Sequence, residues 1–177
     1  MSSTDLHHLL RFFHEAGKLK TLTRSGWTRF EIPRSESVAD HSYRMVLMAM
    51  VLGDRAGLDT MRLMKLCVVH DLPEALAGDI TPHDGISDEE KHTREEQALR
   101  EMVKDIPDSG VYLDLWLEYE AQETPEARMA RQIDKLEMAM QAREYQEAYP
   151  ENNLSEFMDK VEAAINIPEL RGLFNRL

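Results

Sequence analysis

Leu66-Cys67-Val68-Val69 runs straight into His70-Asp71, so any fold open to this chain has to carry an imidazole and a carboxylate toward an apolar interior. A carboxylate taken out of water is strongly disfavoured unless it is paired, neutralised or bound to a cation. That run therefore asks for a partner, and a metal ion is the first to consider.

Around it the apolar residues recur at helical spacing, and no segment alternates apolar and polar residues long enough to demand a strand. The chain reads as all-α. A first helix is expected from near Thr4 to Lys18, with Leu6, Leu9, Leu10 and Phe13 as its apolar stripe. The stretch from Thr21 to Ser37, interrupted by Gly26 and Pro33, reads as a loop too long to be a mere connection. A helix is expected next over Val38 to Ala56, with Val46 and Met50 on its core face and Gly53 weakening its end. Another is expected from an Asp59 or Thr60 cap to about Ala77. Pro73 lies inside it, where it either bends the helix at a cost of roughly 3 kcal/mol or marks a stop and restart. Ser87 opens a helix with an acidic first turn, and others fall over Gly110 to Gln122, Pro125 to Ala148, Leu154 to Ala164 and after Pro168.

The 177 residues suit a single domain spanning the whole chain. With 33 acidic against 21 basic residues, the net charge of -12 opposes a nucleic-acid polymer, although a local basic pocket can still meet a small anion. Cys67 is the only cysteine, which excludes an intrachain disulfide and a thiolate metal cluster, and its apolar neighbours predict a packed, inert thiol. The first residues lack the features of a secretion signal, and no apolar run approaches the roughly 20 residues of a membrane span, so a soluble, cytoplasmic protein is expected. His7, His8 and His14 have no ligand partner one turn away and read as solvated, and His83 and His92 read as surface residues. Met45, Met48, Met138 and Met140 read as core filling.

His70 and Glu74 are four residues apart and Asp71 and Glu74 three, so the three side chains can face one region. His41 from the preceding helix and Asp134 from a distant one complete an ordered set of two imidazoles and two carboxylates. Such ligation suits a divalent transition metal with positions left open for water and substrate. Taken alone, His70 and Asp71 can also hydrogen-bond one another in a core, and Asp134 beside Lys135 can be an ordinary solvated charge.

Asp40-His41, His70-Asp71 and Asp134 in this order resemble the H…HD…D signature of the HD-domain superfamily of metal-dependent phosphohydrolases. The wider set of Arg24, Gly26-Trp27, Ser35 to His41, Glu74, Gly78 to Pro82 and Ile133 to Glu137 is similar to its 5′-deoxynucleotidase branch, over about residues 10 to 150. The resemblance implies a helical HD bundle with a metal-binding core near residues 36–140. It implies a divalent cation (Co, Mn, Mg, Fe or Zn) on His41, His70, Asp71 and Asp134. Glu74 matches the acid/base position beside the ligand Asp71, while in some relatives the positions of Glu74, Asp79 and the Ile80 backbone serve a second metal. The implied substrate is a deoxyribonucleoside 5′-monophosphate. Arg24 would meet its phosphate, Trp27 would exclude a 2′-hydroxyl, Asp79 would accept from the 3′-hydroxyl and Thr81 would shape the wall. One bacterial form of the family has arginine directly before the tryptophan; Gly26 stands there in this chain, and the spelling Arg-x-Gly-Trp matches other members. Glu36 would orient His41 or Arg24, or serve only the helix dipole.

The resemblance also implies a homodimer joined through the later helices. HD proteins elsewhere hydrolyse nucleoside triphosphates, cyclic dinucleotides or (p)ppGpp, and a non-catalytic metal-binding scaffold is a further alternative. A scarcity of basic residues beyond Arg24, Arg29 and Arg34 speaks against a triphosphate.

Overall fold

The computed structural model describes residues 2–177. A long helix, α1 (Ser3–Gly17), leads through a 3-10 turn at Lys18–Lys20 and a short α2 (Ser25–Thr28) to α3 (Val38–Ala56) and α4 (Thr60–Val69). After α5 (Glu74–Ala77) and a 3-10 turn at Pro82–Asp84 come α6 (Asp88–Val103), α7 (Gly110–Ala121), α8 (Pro125–Ala148), α9 (Ser155–Ala164) and α10 (Pro168–Phe174). Among the described residues the one extended pairing is an isolated antiparallel bridge between Thr23 and Ser37. The all-α expectation holds.

Local chemistry sets the helix starts. Ser37 accepts from the Asp40 amide while Asp40 accepts from the Ser37 amide, a reciprocal cap that turns the next residue, His41, onto the buried face of α3. Asp59 caps α4 through the Arg62 amide, and Thr124 caps α8 ahead of Pro125, whose missing N–H costs nothing at that position.

α8 is the central post. It packs against α3, α4, α7, α9 and α10, and the fully buried Leu63, Leu66, Leu99, Ile133 and Leu136 contribute about 1.5–3 kcal/mol each by leaving water. Gly53 belongs to the buried face of α3. A Cβ there would lie 2.7 Å from Thr60 Oγ1 and 3.1 Å from Thr60 Cα, so its role is close approach of α3 to α4, not weakening of the helix end.

Several sequence expectations need correction. The helix from Thr60 does not reach Ala77: it stops at Val69, and His70 to Pro73 form a turn before α5. Proline cannot donate to the ladder, and the chain resolves this by stopping and restarting. Phe12 with Leu9 and Ala16 docks α1, leaving Leu6, Leu10 and Phe13 51–61% exposed. On α3 Met45 and Ala49 are fully buried and Val46 packs half-buried against the core as expected, while Met50 is exposed. The stretch from Thr21 to Ser37 contains α2. No helix among the described residues is long and apolar enough to cross a membrane.

Candidate active site

Two helices and one turn bring the singled-out residues together. α3 supplies His41, α8 supplies Asp134, and the turn closing α4 supplies His70 and Asp71. His41 Nε2 lies 3.4 Å from Asp134 Oδ1 and 3.8 Å from Asp71 Oδ2, and His70 Nε2 lies 3.0 Å from Asp71 Oδ2. The potential ligand atoms of His41, His70 and Asp71 all fall within 4.8 Å of one another.

The other ring nitrogens are already engaged. His41 Nδ1 faces Glu137 Oε2, and His70 Nδ1 is 2.9 Å from the Cys67 carbonyl. That leaves the two buried Nε2 atoms without a hydrogen-bond partner. Buried polar atoms are rarely left so, and two orphaned imidazole nitrogens beside two carboxylates form a donor set that fits a divalent transition metal.

Arg24 closes one side. Its Nη1 donates to Asp71 Oδ2 at 3.1 Å, and its Nε lies 3.7 Å from Glu36 Oε1. Glu36 also accepts from the Trp27 indole N–H at 2.9 Å, so it orients Arg24 and Trp27 together. Trp27 is 1% exposed and packs on Phe157 at 4.4 Å between ring centroids; it anchors the α2 loop and lines the cleft at once.

Glu74 is buried in the same place, with Oε2 unpartnered. Asp79 Oδ2 accepts from the Ser25 amide at 2.7 Å, which ties the α2 loop to the strand of chain after α5. Ile80 is buried and lines the cleft. Thr81 also lines it, but its hydroxyl is committed to the turn, donating to Asp84 Oδ2 at 2.8 Å.

A family model for the HD domain matches residues 16–171. The chain belongs to the HD domain family. It is 40% identical over 172 residues to the human (Homo sapiens) 5′-deoxynucleotidase HDDC2, covering 96% of this chain and 84% of that protein. It is 36% identical over 168 residues to the 5′-deoxynucleotidase YGK1 of Saccharomyces cerevisiae, covering 91% and 78%. Among solved structures it resembles the PH0347 protein from Pyrococcus horikoshii OT3, with a TM-score of 0.81, 28% identity and coverage of 94% and 96%. It also resembles a predicted metal-dependent phosphohydrolase from Magnetospirillum magnetotacticum MS-1, with a TM-score of 0.74, 27% identity and coverage of 98% and 93%.

In this HD domain His70, Asp71 and Asp134 line a cleft of about 500 Å³, within the range of small-molecule sites, while His41 is fully buried. Burial works against the Arg24 charge, yet Asp71, Asp134, Asp79 and Glu74 together hold its pKa above the usual value. Burial likewise opposes ionisation of Asp71, but His70, Arg24 and His41 hold its carboxyl well below the ordinary range. For Glu74 burial acts in the same direction as Asp71 and Asp79, pushing its carboxyl well up. Burial and Arg24 push the His41 pKa down, while Asp134 and Glu137 raise it to about 9.

The cleft of the HD domain also corrects the expected scarcity of cations. Arg29, Lys91, Arg131, Lys135 and Lys160 line it beside Arg24. They come from four different helices or loops, so no basic run in the sequence announces them. His83 and His92 line it too, with His92 stacked 4.9 Å from the Trp116 ring. The buried Glu137 went unassigned in the sequence, although its position one turn after Asp134 is a usable signal.

Proposed function

We propose that this HD domain hydrolyses deoxyribonucleoside 5′-monophosphates to deoxynucleoside and phosphate, as a phosphoric monoester hydrolase dependent on a divalent cation. The observation that carries the reading is the pair of buried, unpartnered imidazole nitrogens on His41 and His70 facing Asp71 and Asp134 under a nucleotide-sized cleft. Relatives named 5′-deoxynucleotidase, 36–40% identical over nearly the whole chain, support the substrate class.

In this reading His41, His70, Asp71 and Asp134 hold the cation, Co, Mn, Mg, Fe or Zn, which when bound supplies polarisation of the phosphoryl group and activation of water. Arg24 meets the phosphate charge with a fork already oriented by Asp71 and Glu36. Glu74 Oε2 takes the proton of the attacking water and returns it to the departing 5′ oxygen. Asp79 uses the carboxylate oxygen not held by Ser25 to accept from the 3′-hydroxyl. Trp27 presents a rigid wall against a 2′-hydroxyl, and Thr81 braces the turn opposite it. The alternative role of Glu74, Asp79 and the Ile80 carbonyl as ligands of a second cation draws on the same cluster of oxygen atoms.

We further read residues 1–177 as one HD unit with its metal-binding core near 36–140, cytoplasmic in keeping with the buried lone thiol of Cys67, and homodimeric. The later helices expose few large apolar residues; Tyr43, Leu47, Met50 and Val51 on α3 offer a broader face to a second copy.

Phosphate release from metal-stripped protein, resupplied separately with Co, Mn, Mg and Zn, tests the activity on matched 5′-dNMP, 3′-dNMP, 5′-NMP and dNTP. Release from the 5′-dNMP alone is expected. The extra cations of the cleft favour one second reading, a more highly phosphorylated nucleotide in the same site, and preferential turnover of dNTP would establish it instead. Binding of metal with silence on every nucleotide would leave the non-catalytic scaffold.

A further inference from the structure

Beyond the four singled-out ligands, α3 and α8 interlock through two pairs of residues with the same spacing. His41 and Arg44 lie three apart on α3, Asp134 and Glu137 three apart on α8, and each pair places its members one above the other. Asp134 faces Nε2 of the His41 ring and Glu137 faces Nδ1. His41 and Glu137 are both completely buried.

Glu137 has no spare capacity. Its Oε2 contacts His41 Nδ1, while its Oε1 accepts from Arg44 Nε at 2.8 Å and lies 2.7 Å from Arg44 Nη2. Arg44 is fixed in turn along one stripe of α8, donating to Gln141 Oε1 at 2.8 Å and Glu144 Oε1 at 2.7 Å. Glu36, His41 and Glu137 also bring potential ligand atoms within 4.8 Å of one another. A cation there would have to displace either the Arg44 guanidinium or the histidine from Glu137, and Glu36 is already bonded to Trp27. The arrangement is an outer carboxylate serving an inner imidazole.

We propose that Glu137, clamped by Arg44, is a positioning residue that holds a proton of His41 on Nδ1 and so leaves Nε2, which faces Asp71 and Asp134, as the nitrogen that takes the cation. An imidazole free to place its proton on either nitrogen presents the right donor only part of the time. A carboxylate behind the ring fixes both tautomer and orientation, and loss of such a partner typically weakens metal binding 10- to 100-fold, an order-of-magnitude expectation. The inference rests on the cation-site reading above but concerns a residue outside that ligand set.

The test is E137Q. The amide keeps the shape, but its single oxygen cannot accept from both Arg44 and His41. Competition with a chelator for Co, Mn and Zn should show affinity lower by about 10- to 100-fold than in the wild type, with R44M, which leaves the carboxylate facing His41, losing less. A role confined to packing would lower the thermal midpoint of E137Q while leaving metal affinity within about twofold, and that result overturns the proposal. Should E137Q not fold, wild-type protein decides the matter by nitrogen-15 NMR of labelled histidine. A His41 Nδ1–H protected from exchange in the metal-free protein, and retained when zinc is added, is expected; an unprotonated Nδ1 overturns the assignment. Because the metal-free spectrum reads the proton directly, failure of the protein to take up any cation would count against the proposed function without deciding the His41–Glu137 relationship.

Discussion

Arg24 reaches across from the α2 loop to Asp71 in the turn after α4, donating Nη1–H to Oδ2 at 3.1 Å, with both side chains largely withdrawn from solvent. The contact ties the longest irregular segment of the chain to the residue pair that first signalled a metal. R24K retains the charge but not the planar fork. It should keep the fold and lower kcat/KM for a 5′-dNMP by about tenfold or more, equivalent to about 1.4 kcal/mol of transition-state stabilisation. Inhibition by inorganic phosphate should weaken in parallel. Unchanged kinetics and unchanged phosphate inhibition would remove Arg24 from the phosphate end.

Trp27 is held from both sides, by Glu36 on its N–H and by Phe157 against its ring. W27F removes the hydrogen bond from a buried carboxylate and should cost roughly 1–3 kcal/mol in urea denaturation. The smaller ring should also narrow the preference for 5′-dNMP over 5′-NMP. Measuring both rates in one variant separates anchoring from discrimination: a stability loss at constant sugar preference would leave Trp27 as an anchor only.

Glu95 on α6 is buried with Lys91 Nζ 3.4 Å from its carboxylate. Burial raises its pKa from 4.5 to about 7, only partly opposed by Lys91. Between those values the folded protein binds more protons than the unfolded chain, so this group's contribution to stability declines as pH rises, and is fully present below about pH 4.5. The decline is worth up to roughly 3 kcal/mol. Thermal midpoints of metal-free wild type and E95Q across this window should converge at low pH and diverge in favour of E95Q toward neutrality. Parallel curves would show that Glu95 ionises normally.

Gly53 and Thr60 set the spacing of α3 and α4. Alanine is the better helix former by about 1 kcal/mol, yet its methyl would meet Thr60 backbone as well as side chain. G53A should therefore destabilise by roughly 1–3 kcal/mol despite the propensity gain. A variant as stable as wild type would mean that α4 can shift without penalty.

Local signals made much of this architecture legible. Pro125 marked the start of α8, the end of the irregular stretch at Ser37 marked the start of α3, and the order of His41, His70-Asp71 and Asp134 drew attention to residues that the fold does bring together. What escaped depends on which neighbour arrives. Leu6, Leu10 and Phe13 have the same helical spacing as a core face, but Phe12 wins the docking of α1 because its side faces Tyr112, 5.7 Å away between ring centroids. Lys91, Arg131 and Lys160 look like solvated helix charges until three separate helices turn them toward one cleft. Glu137 has the composition of an exposed residue and is buried only because His41 and Arg44 meet it from another helix.

The early stop of α4 has an electrostatic consequence. Each helix carries about half a negative charge at its C-terminal end, where its last carbonyl oxygens lack amide partners. Had the helix continued through Pro73 to Ala77, that end would lie about two turns further along the chain. By breaking off at Val69, the backbone leaves the Cys67 carbonyl facing His70 Nδ1 at 2.9 Å, so the orientation of this imidazole is set by a peptide oxygen that no side-chain substitution can delete.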